Sequence, residues 1–231
     1  MTQVFIVGAA GKVGRHLVRQ LAARGHHPLA LHRRAEQAAE LTALGGVPVT
    51  GDLSTLTLEQ LATQMAGSEV VVFSAGAGGA GLALTDAIDG DGLELAVRAA
   101  QLAGVTRFLL VSAFPEAGRG KALAEGFEHY MAVKKRTDVF LANSALEWVI
   151  LRPGTLNDAA ATGRVQLGPA IAYGEVPRED VAATLVALVE HPALRHCIVE
   201  LTAGDVAVEE AVQRLVAITS PSRSTAQTST P

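Results

Sequence analysis

At 231 residues the chain has room for one large domain, and with 49% hydrophobic residues it can bury a sizeable core. A net charge of −4 gives no basic field to draw nucleic acid or anionic lipid. The single cysteine, Cys197, excludes an intrachain disulfide and any multi-cysteine metal site. Aromatic residues make up only 4%, so the core must rest on Ala, Val, Leu and Ile, as buried parallel sheets do. Charged residues at 18% are few, which fits some surface being covered, and a homodimer stays open as an assembly. The first residues enter a strand pattern at once, without the layout of a signal peptide. No apolar run approaches the roughly 18 residues that span a bilayer. These features point to a reducing, cytoplasmic setting with no membrane partner.

The first strand is read at Val4 to Val7 and is followed by Gly8, Gly11 and Gly14. The helix from Lys12 to Arg24 then carries Val13, Leu17 and Leu21 at i, i+4 and i+8. A strand, glycines at this spacing and an amphipathic helix make a phosphate-binding turn. Bare backbone lets a pyrophosphate come close, and the helix start offers free N–H groups and a positive dipole end. The expected cradle is Gly8, Ala10, Gly11, Lys12 and Val13.

The second strand, Pro28 to Leu31, runs into "LHRRAE". A site for NAD(H) places a carboxylate here to hold the ribose hydroxyls. Arg33 and Arg34 stand there instead, and a guanidinium suits a 2′-phosphate by charge and by its donor fork. The sequence therefore favours NADP(H) over NAD(H). Further strands are read at Val47 to Thr50, Val70 to Phe73, Arg107 to Val111, Trp148 to Leu151 and Ile198 to Leu201. Helices are read at Ala35 to Ala43, Leu58 to Met65, Asp86 to Ala103, Phe127 to Asn143, Arg178 to Glu190 and Val208 to Ala217. Strands alternating with helices imply an α/β fold, a doubly wound parallel sheet flanked by helices. The expected domain covers residues 1–217, with a small substrate-side lip at about 154–177. The polar stretch 218–231 is expected to be disordered.

Tyr130 and Lys134 form Y-x-x-x-K, which puts both on one helix face. Ser112 ends the fifth strand. The histidines show no metal-ligand spacing, and no metal is expected. Lys134, Lys135 and Arg136 face different ways around a helix, so they make no nucleic-acid patch. Cys197 and Trp148 read as core residues, Arg152 as structural, and His129 as facing solvent or the mouth of the site.

In order and spacing, "VGAAGKVG", "LHRR", "GDL", "VVFSAGAG", "FLLVSA", "YMAVKKRTD", "VILRPGTL", "EVPREDVA" and "VELTAGD" resemble the short-chain dehydrogenase/reductases. The likeness is strongest to the small atypical NAD(P)H-binding members near the epimerase/dehydratase-like and NmrA-like groups. It covers residues 1 to 217 and implies a Rossmann-type fold. It also implies that Asp52 accepts from the adenine amino group with Leu53 beside the base; by its own chemistry Asp52 also suits the start of a turn. Ser74, Ala75 and Gly76 would run beside the cofactor ribose, with Gly78, Gly79 and Gly81 in a mobile loop over the site. Pro153 and Gly154 would shape the turn that meets the nicotinamide carboxamide.

In the same resemblance Lys134 holds the ribose and its charge lowers the pKa of Tyr130. Tyr130 exchanges a proton as hydride moves, and Ser112 polarises the substrate oxygen. The short stretch between Pro153 and Arg178 would enclose a nucleotide sugar poorly, so a small carbonyl or redox substrate is expected. The alternatives are a cofactor-sensing regulator without turnover, or a sugar epimerase or dehydratase.

Overall fold

The computed structural model describes residues 1–118 and 125–219. In chain order the elements are β1 (Gln3–Val7), α1 (Lys12–Ala23), β2 (His27–His32), α2 (Glu36–Ala43), β3 (Val47–Thr50), α3 (Leu58–Met65) and β4 (Val70–Phe73). Next come a short α4 (Leu82–Leu84), a π-helical turn (Thr85–Asp91), α5 (Gly92–Leu102), β5 (Arg107–Val111) and α6 (Glu125–Ala142). The last part holds β6 (Glu147–Pro153), β7 (Thr155–Asn157), β8 (Arg164–Gly168), β9 (Glu175–Pro177), α7 (Arg178–Glu190), β10 (Cys197–Ala203), β11 (Val206–Ala207) and α8 (Val208–Thr219).

Alternation along each strand assigns the core. Val4 and Ile6 of β1 face one side of the sheet, with Leu17 and Leu21 of α1 and the apolar residues of α7 and α8. Phe5 and Val7 face the other side, with Leu61 and Met65 of α3 and Leu93 and Val97 of α5. Val70 and Val72 of β4 repeat the first choice, and Val71 and Phe73 the second. Burial on both faces is why these strands read as continuous apolar runs rather than as alternating ones.

The nine-stranded sheet has the order β11-β8-β10-β6-β5-β4-β1-β2-β3. From β10 to β3 every neighbouring pair is parallel. β8 runs antiparallel to β10, and β11 antiparallel to β8. The molecule is thus a Rossmann-like α/β domain with a mostly parallel sheet between helical layers. The chain winds outward from β1 to β3, then crosses back to β4 on the other side of β1. That reversal opens a crevice at the carboxyl ends of β1 and β4, where α/β sheets bind ligands. The pairing Val7↔Phe73 sets Gly8 and Ser74 side by side at its floor.

Two regions differ from the expectation. The stretch read as one helix from Asp86 to Ala103 begins instead with the π-helical turn, and regular α-helix starts only at Gly92. The substrate-side lip also divides. β8 extends the main sheet, whereas β7 and β9 form a separate parallel pair. α8 continues to Thr219, so residues 218 and 219 are helical where disorder was expected, and the rest of that stretch, 220–231, lies outside the described residues.

Candidate active site

The crevice is a cleft of about 920 Å³. Its floor is the turn after β1. Gly8 has φ +91°, and a β-carbon there would lie 2.5 Å from the Ala75 nitrogen. A β-carbon on Gly14 would lie 2.2 Å from the Gly8 oxygen. These two glycines let β1, α1 and the exit of β4 close on one another. Gly11 is different. Its φ is an ordinary −74°, and an added β-carbon would meet only the Gly8 oxygen, at 3.1 Å. Its bare backbone faces the cleft, as do Ala10, Lys12 and Val13. α1 starts here with no side-chain cap and no acid in its first turn, so its free N–H groups and positive end are uncompensated.

The end of β2 separates the two arginines. His32 is buried, and its Nδ1 donates to the Arg34 carbonyl (3.0 Å) while Nε2 accepts from Thr50 Oγ1 (3.4 Å). The turn so fixed sends Arg33 to the cleft wall beside Gln37. Arg34 is not part of that wall; its guanidinium pairs with Glu36 at 3.1 Å. Asp52 and Leu53 line the same end. Asp52 Oδ1 accepts from Ser54 Oγ (2.7 Å) and Ser54 N (2.9 Å), bonds that hold its carboxyl below the usual range. Asp52 therefore does begin a turn, from within the cleft wall.

Across the floor, Ser74, Ala75 and Gly76 line the cleft, followed by Gly78, Gly79 and Gly81. Ser74 is tied to β1 through its N–H, which donates to the Val7 carbonyl at 2.9 Å. At the opposite end stand Ser112, Tyr130 and Lys134. Lys134 is buried and its ammonium sits 3.1 Å from Asp89 Oδ1, donating also to the Val111 carbonyl at 3.2 Å. Asp89 is 1% exposed, and its other oxygen accepts from the Ala77 N–H at 2.8 Å. The π-helical turn is what swings this carboxylate inward, consistent with the habit of such turns to occur at functional sites. Lys134 Nζ lies 5.7 Å from the centre of the Tyr130 ring.

One expectation about this group is corrected. Lys134 does pull the Tyr130 pKa down, but burial pushes it up by more, and Asp89 and Asp138 add to the rise. The net direction is upward. Ser112 is buried too, and its hydroxyl has no hydrogen-bond partner among the described residues. A buried polar group without a partner is costly, so this hydroxyl is a candidate contact for a ligand atom.

Pro153 and Gly154 stand outside the cleft wall. Gly154 N–H donates to the Leu201 carbonyl at 2.8 Å, and a β-carbon on it would lie 2.1 Å from the Gly174 oxygen. Their place is the junction of β6, β7 and β9, and the residue this turn delivers to the cleft is Leu156. Arg152 pairs with Asp138 through two bonds of 2.8 and 3.0 Å, away from the cleft. His129 is not part of the cleft wall, and its Nε2 meets Asp86 Oδ1 at 3.0 Å. Sequence reasoning gave no role to Asp89, Phe127 or Arg178, all of which line the cleft. The acid–glycine alternation from Asp89 to Gly92 marks the first. Arg178 opens a helix, and nothing local shows that it faces a ligand.

Residues 8–192 match the model of a family described as NAD(P)H-binding. The "Uncharacterized sugar epimerase YhfK" of Bacillus subtilis (strain 168) is 34% identical over 92% of this chain and 100% of its own length. Among solved structures, the oxidoreductase ylbE from Lactococcus lactis is 27% identical with a TM-score of 0.82, covering 93% of this chain and 97% of that one. The anaerobillin reductase ChuY from Escherichia coli O157:H7 is 28% identical with a TM-score of 0.74, covering 89% and 98%. The chain belongs to this NAD(P)H-binding family, the atypical short-chain dehydrogenase/reductases of the epimerase/dehydratase type.

Proposed function

We propose that the protein is an NADP(H)-dependent reductase of a small carbonyl or redox substrate. The observation that carries the proposal is the pairing of two ends in one cleft: an arginine at the end of β2, and a Ser–Tyr–Lys group made by the end of β5 and one face of α6. The glycine floor, the uncapped start of α1 and the unpartnered Ser112 hydroxyl fit a dinucleotide lying between them. A bound nicotinamide cofactor supplies a hydride. The residues of this chain do the rest. Arg33 offers its donors to a 2′-phosphate. The Gly8–Val13 backbone holds the pyrophosphate. Lys134, held in place by Asp89 and the Val111 carbonyl, donates to ribose hydroxyls. Ser112 donates a hydrogen bond to the substrate oxygen. Tyr130, kept protonated by its raised pKa, gives its phenolic proton to the oxygen on which negative charge develops. At neutral pH such a phenol is in the protonated form that a reduction requires, although desolvation makes it a weaker acid.

The test is a pair of titrations with NADPH and NADH, followed by turnover on a panel of small carbonyls and quinones. Arg33→Ala should weaken NADPH by about tenfold, the worth of one charge-assisted phosphate contact, and leave NADH little changed. Equal losses for both would remove the NADP(H) assignment. Tight NADPH binding with no turnover on any member of the panel would favour a cofactor-sensing regulator.

A further inference from the structure

The edge of the cleft between α1 and β7 concentrates positive charge in a way the fold does not require. Lys12 is the first residue of α1, and Arg178 the first residue of α7. A cation at a helix start opposes the dipole and costs stability. Neither helix has a side-chain cap there. The first turn of α7 carries Glu179 and Asp180, but that of α1 carries no acid. Both cations line the cleft. One carboxylate bridges them: Asp158 Oδ2 lies 2.7 Å from Lys12 Nζ, and Oδ1 lies 2.6 Å from Arg178 Nη1. The two bonds hold the Asp158 carboxyl below its usual range. A carboxylate that spans two cations occupies the same geometry as two oxygens of a phosphate group.

Asp158 is not what holds its own loop. The backbone on either side is fixed independently. Asn157 Nδ2 donates to Glu175 Oε2 (3.0 Å), and its Oδ1 accepts from the Ala159 N–H (3.2 Å). Asp180, fully buried, accepts from the N–H groups of Thr162 (3.0 Å) and Gly163 (2.9 Å). The Asp158 side chain is 62% exposed and can turn to solvent without cost to these ties.

We propose that Lys12 and Arg178 form a two-point clamp on the pyrophosphate of the bound dinucleotide, with Asp158 as an internal competitor for both cations. The inference rests on the proposal that the cleft holds such a cofactor. The pyrophosphate is the favoured occupant because Lys12 belongs to the phosphate turn itself, one residue past Gly11. Arg178 then closes the ligand in from the far side of that turn. Because the competitor is built in, removing it should strengthen binding, the opposite of what loss of a structural tie does.

The experiment titrates the full chain with NADPH and, separately, with adenosine 2′-monophosphate, which has no pyrophosphate. Asp158→Asn should bind NADPH about two- to fivefold tighter, the fold-change that an exposed ion pair is worth. Arg178→Met should bind it about tenfold weaker, with Arg178→Lys between that and the unmodified protein. Adenosine 2′-monophosphate should bind all four alike. If Arg178→Met fails to fold, as a ligand-free thermal melt would reveal, the Asp158→Asn and Arg178→Lys results decide. Weaker NADPH binding by Asp158→Asn overturns the proposal, since Asp158 would then be a structural tie. So does an Arg178→Met protein whose NADPH affinity is unchanged while its KM for an accepted substrate rises, because the cations would then serve an anionic substrate. If the unmodified protein binds neither NADPH nor NADH, the proposed function fails and the clamp falls with it, an outcome distinct from the other two.

Discussion

The phenol of Tyr130 and the thiol of Cys197 show how burial decides what a reactive group can do. Tyr130 has a cation nearby, yet its pKa goes up, because desolvation outweighs Lys134 and because Asp89 already answers that charge at 3.1 Å. A tyrosine whose pKa exceeds its ordinary value of about 10 stays protonated at every physiological pH. Reductive turnover should therefore show no limb from this group between about pH 6 and 9, and should fall only in the alkaline range above its ordinary value. A limb centred near neutrality would assign the proton to another group. Tyr130→Phe keeps the ring but removes the proton, so turnover should fall by roughly two to four orders of magnitude with NADPH affinity little changed. Lys134→Ala should lose both, and should also cost about 3–5 kcal/mol of stability in a denaturant titration, because it leaves Asp89 buried and unpaired. The same burial acts on Cys197, whose thiol is pushed up to about 11. At pH 8 only about one part in a thousand is thiolate, so a disulfide exchange reagent should modify it roughly a hundredfold more slowly than the cysteine of the unfolded chain. Rapid labelling of the folded chain would contradict that environment.

At the scale of elements, the three glycines of the first turn have different jobs, and substitution should separate them. A β-carbon on Gly14 would come within 2.2 Å of the Gly8 oxygen, so α1 must move off the floor of the cleft. Gly14→Ala should destabilise the fold by about 1–3 kcal/mol, as overpacking does, before any ligand is added. Gly11 has an ordinary φ and meets little protein, so Gly11→Val should melt close to the unmodified protein yet lose NADPH. Melts and titrations of the two variants side by side would tell structure from binding; tight NADPH binding by a folded Gly11→Val protein would move the phosphates elsewhere. The π-helical turn is the element that periodicity could not reveal. Apolar spacing across residues 86–103 reads as one helix because one wide turn shifts the phase only locally. That shift is what brings Asp89 inward to Lys134 and to the Ala77 N–H.

For the whole molecule, the seven parallel strands were legible because each is a short, mostly aliphatic run bounded by turn residues; in β1 from Val4 onward and in β4 burial on both faces leaves the run wholly apolar, whereas the edge strand β3 is partly exposed. The antiparallel edge was not. Strand-like alternation marks residues 164–168, but β8 and β11 join the sheet through antiparallel pairings that no local pattern records. The cleft divides in the same way. Gly8 to Val13, Arg33 and the Tyr130–Lys134 pair lie in contiguous motifs with a physical meaning of their own. Asp158 meets Lys12 across 146 residues of chain, and Arg178 joins them only through Asp158. Walls drawn from so much of the chain make ligand binding a constraint on the global fold, and this gives the last prediction. A ligand that binds only the native state stabilises it by about 2.7 kcal/mol at a hundredfold excess over its Kd. For a domain of this size each kcal/mol moves Tm by roughly 2–4 °C, so NADPH at that excess should raise Tm by about 5–10 °C. NADH at the same concentration should give a smaller shift, and Arg33→Ala should shrink the gap between the two by lowering the NADPH value. The measurement is a set of thermal melts at matched cofactor concentrations, read by circular dichroism. Equal shifts with both cofactors, unchanged by Arg33→Ala, would show that the guanidinium at the end of β2 plays no part in choosing between them.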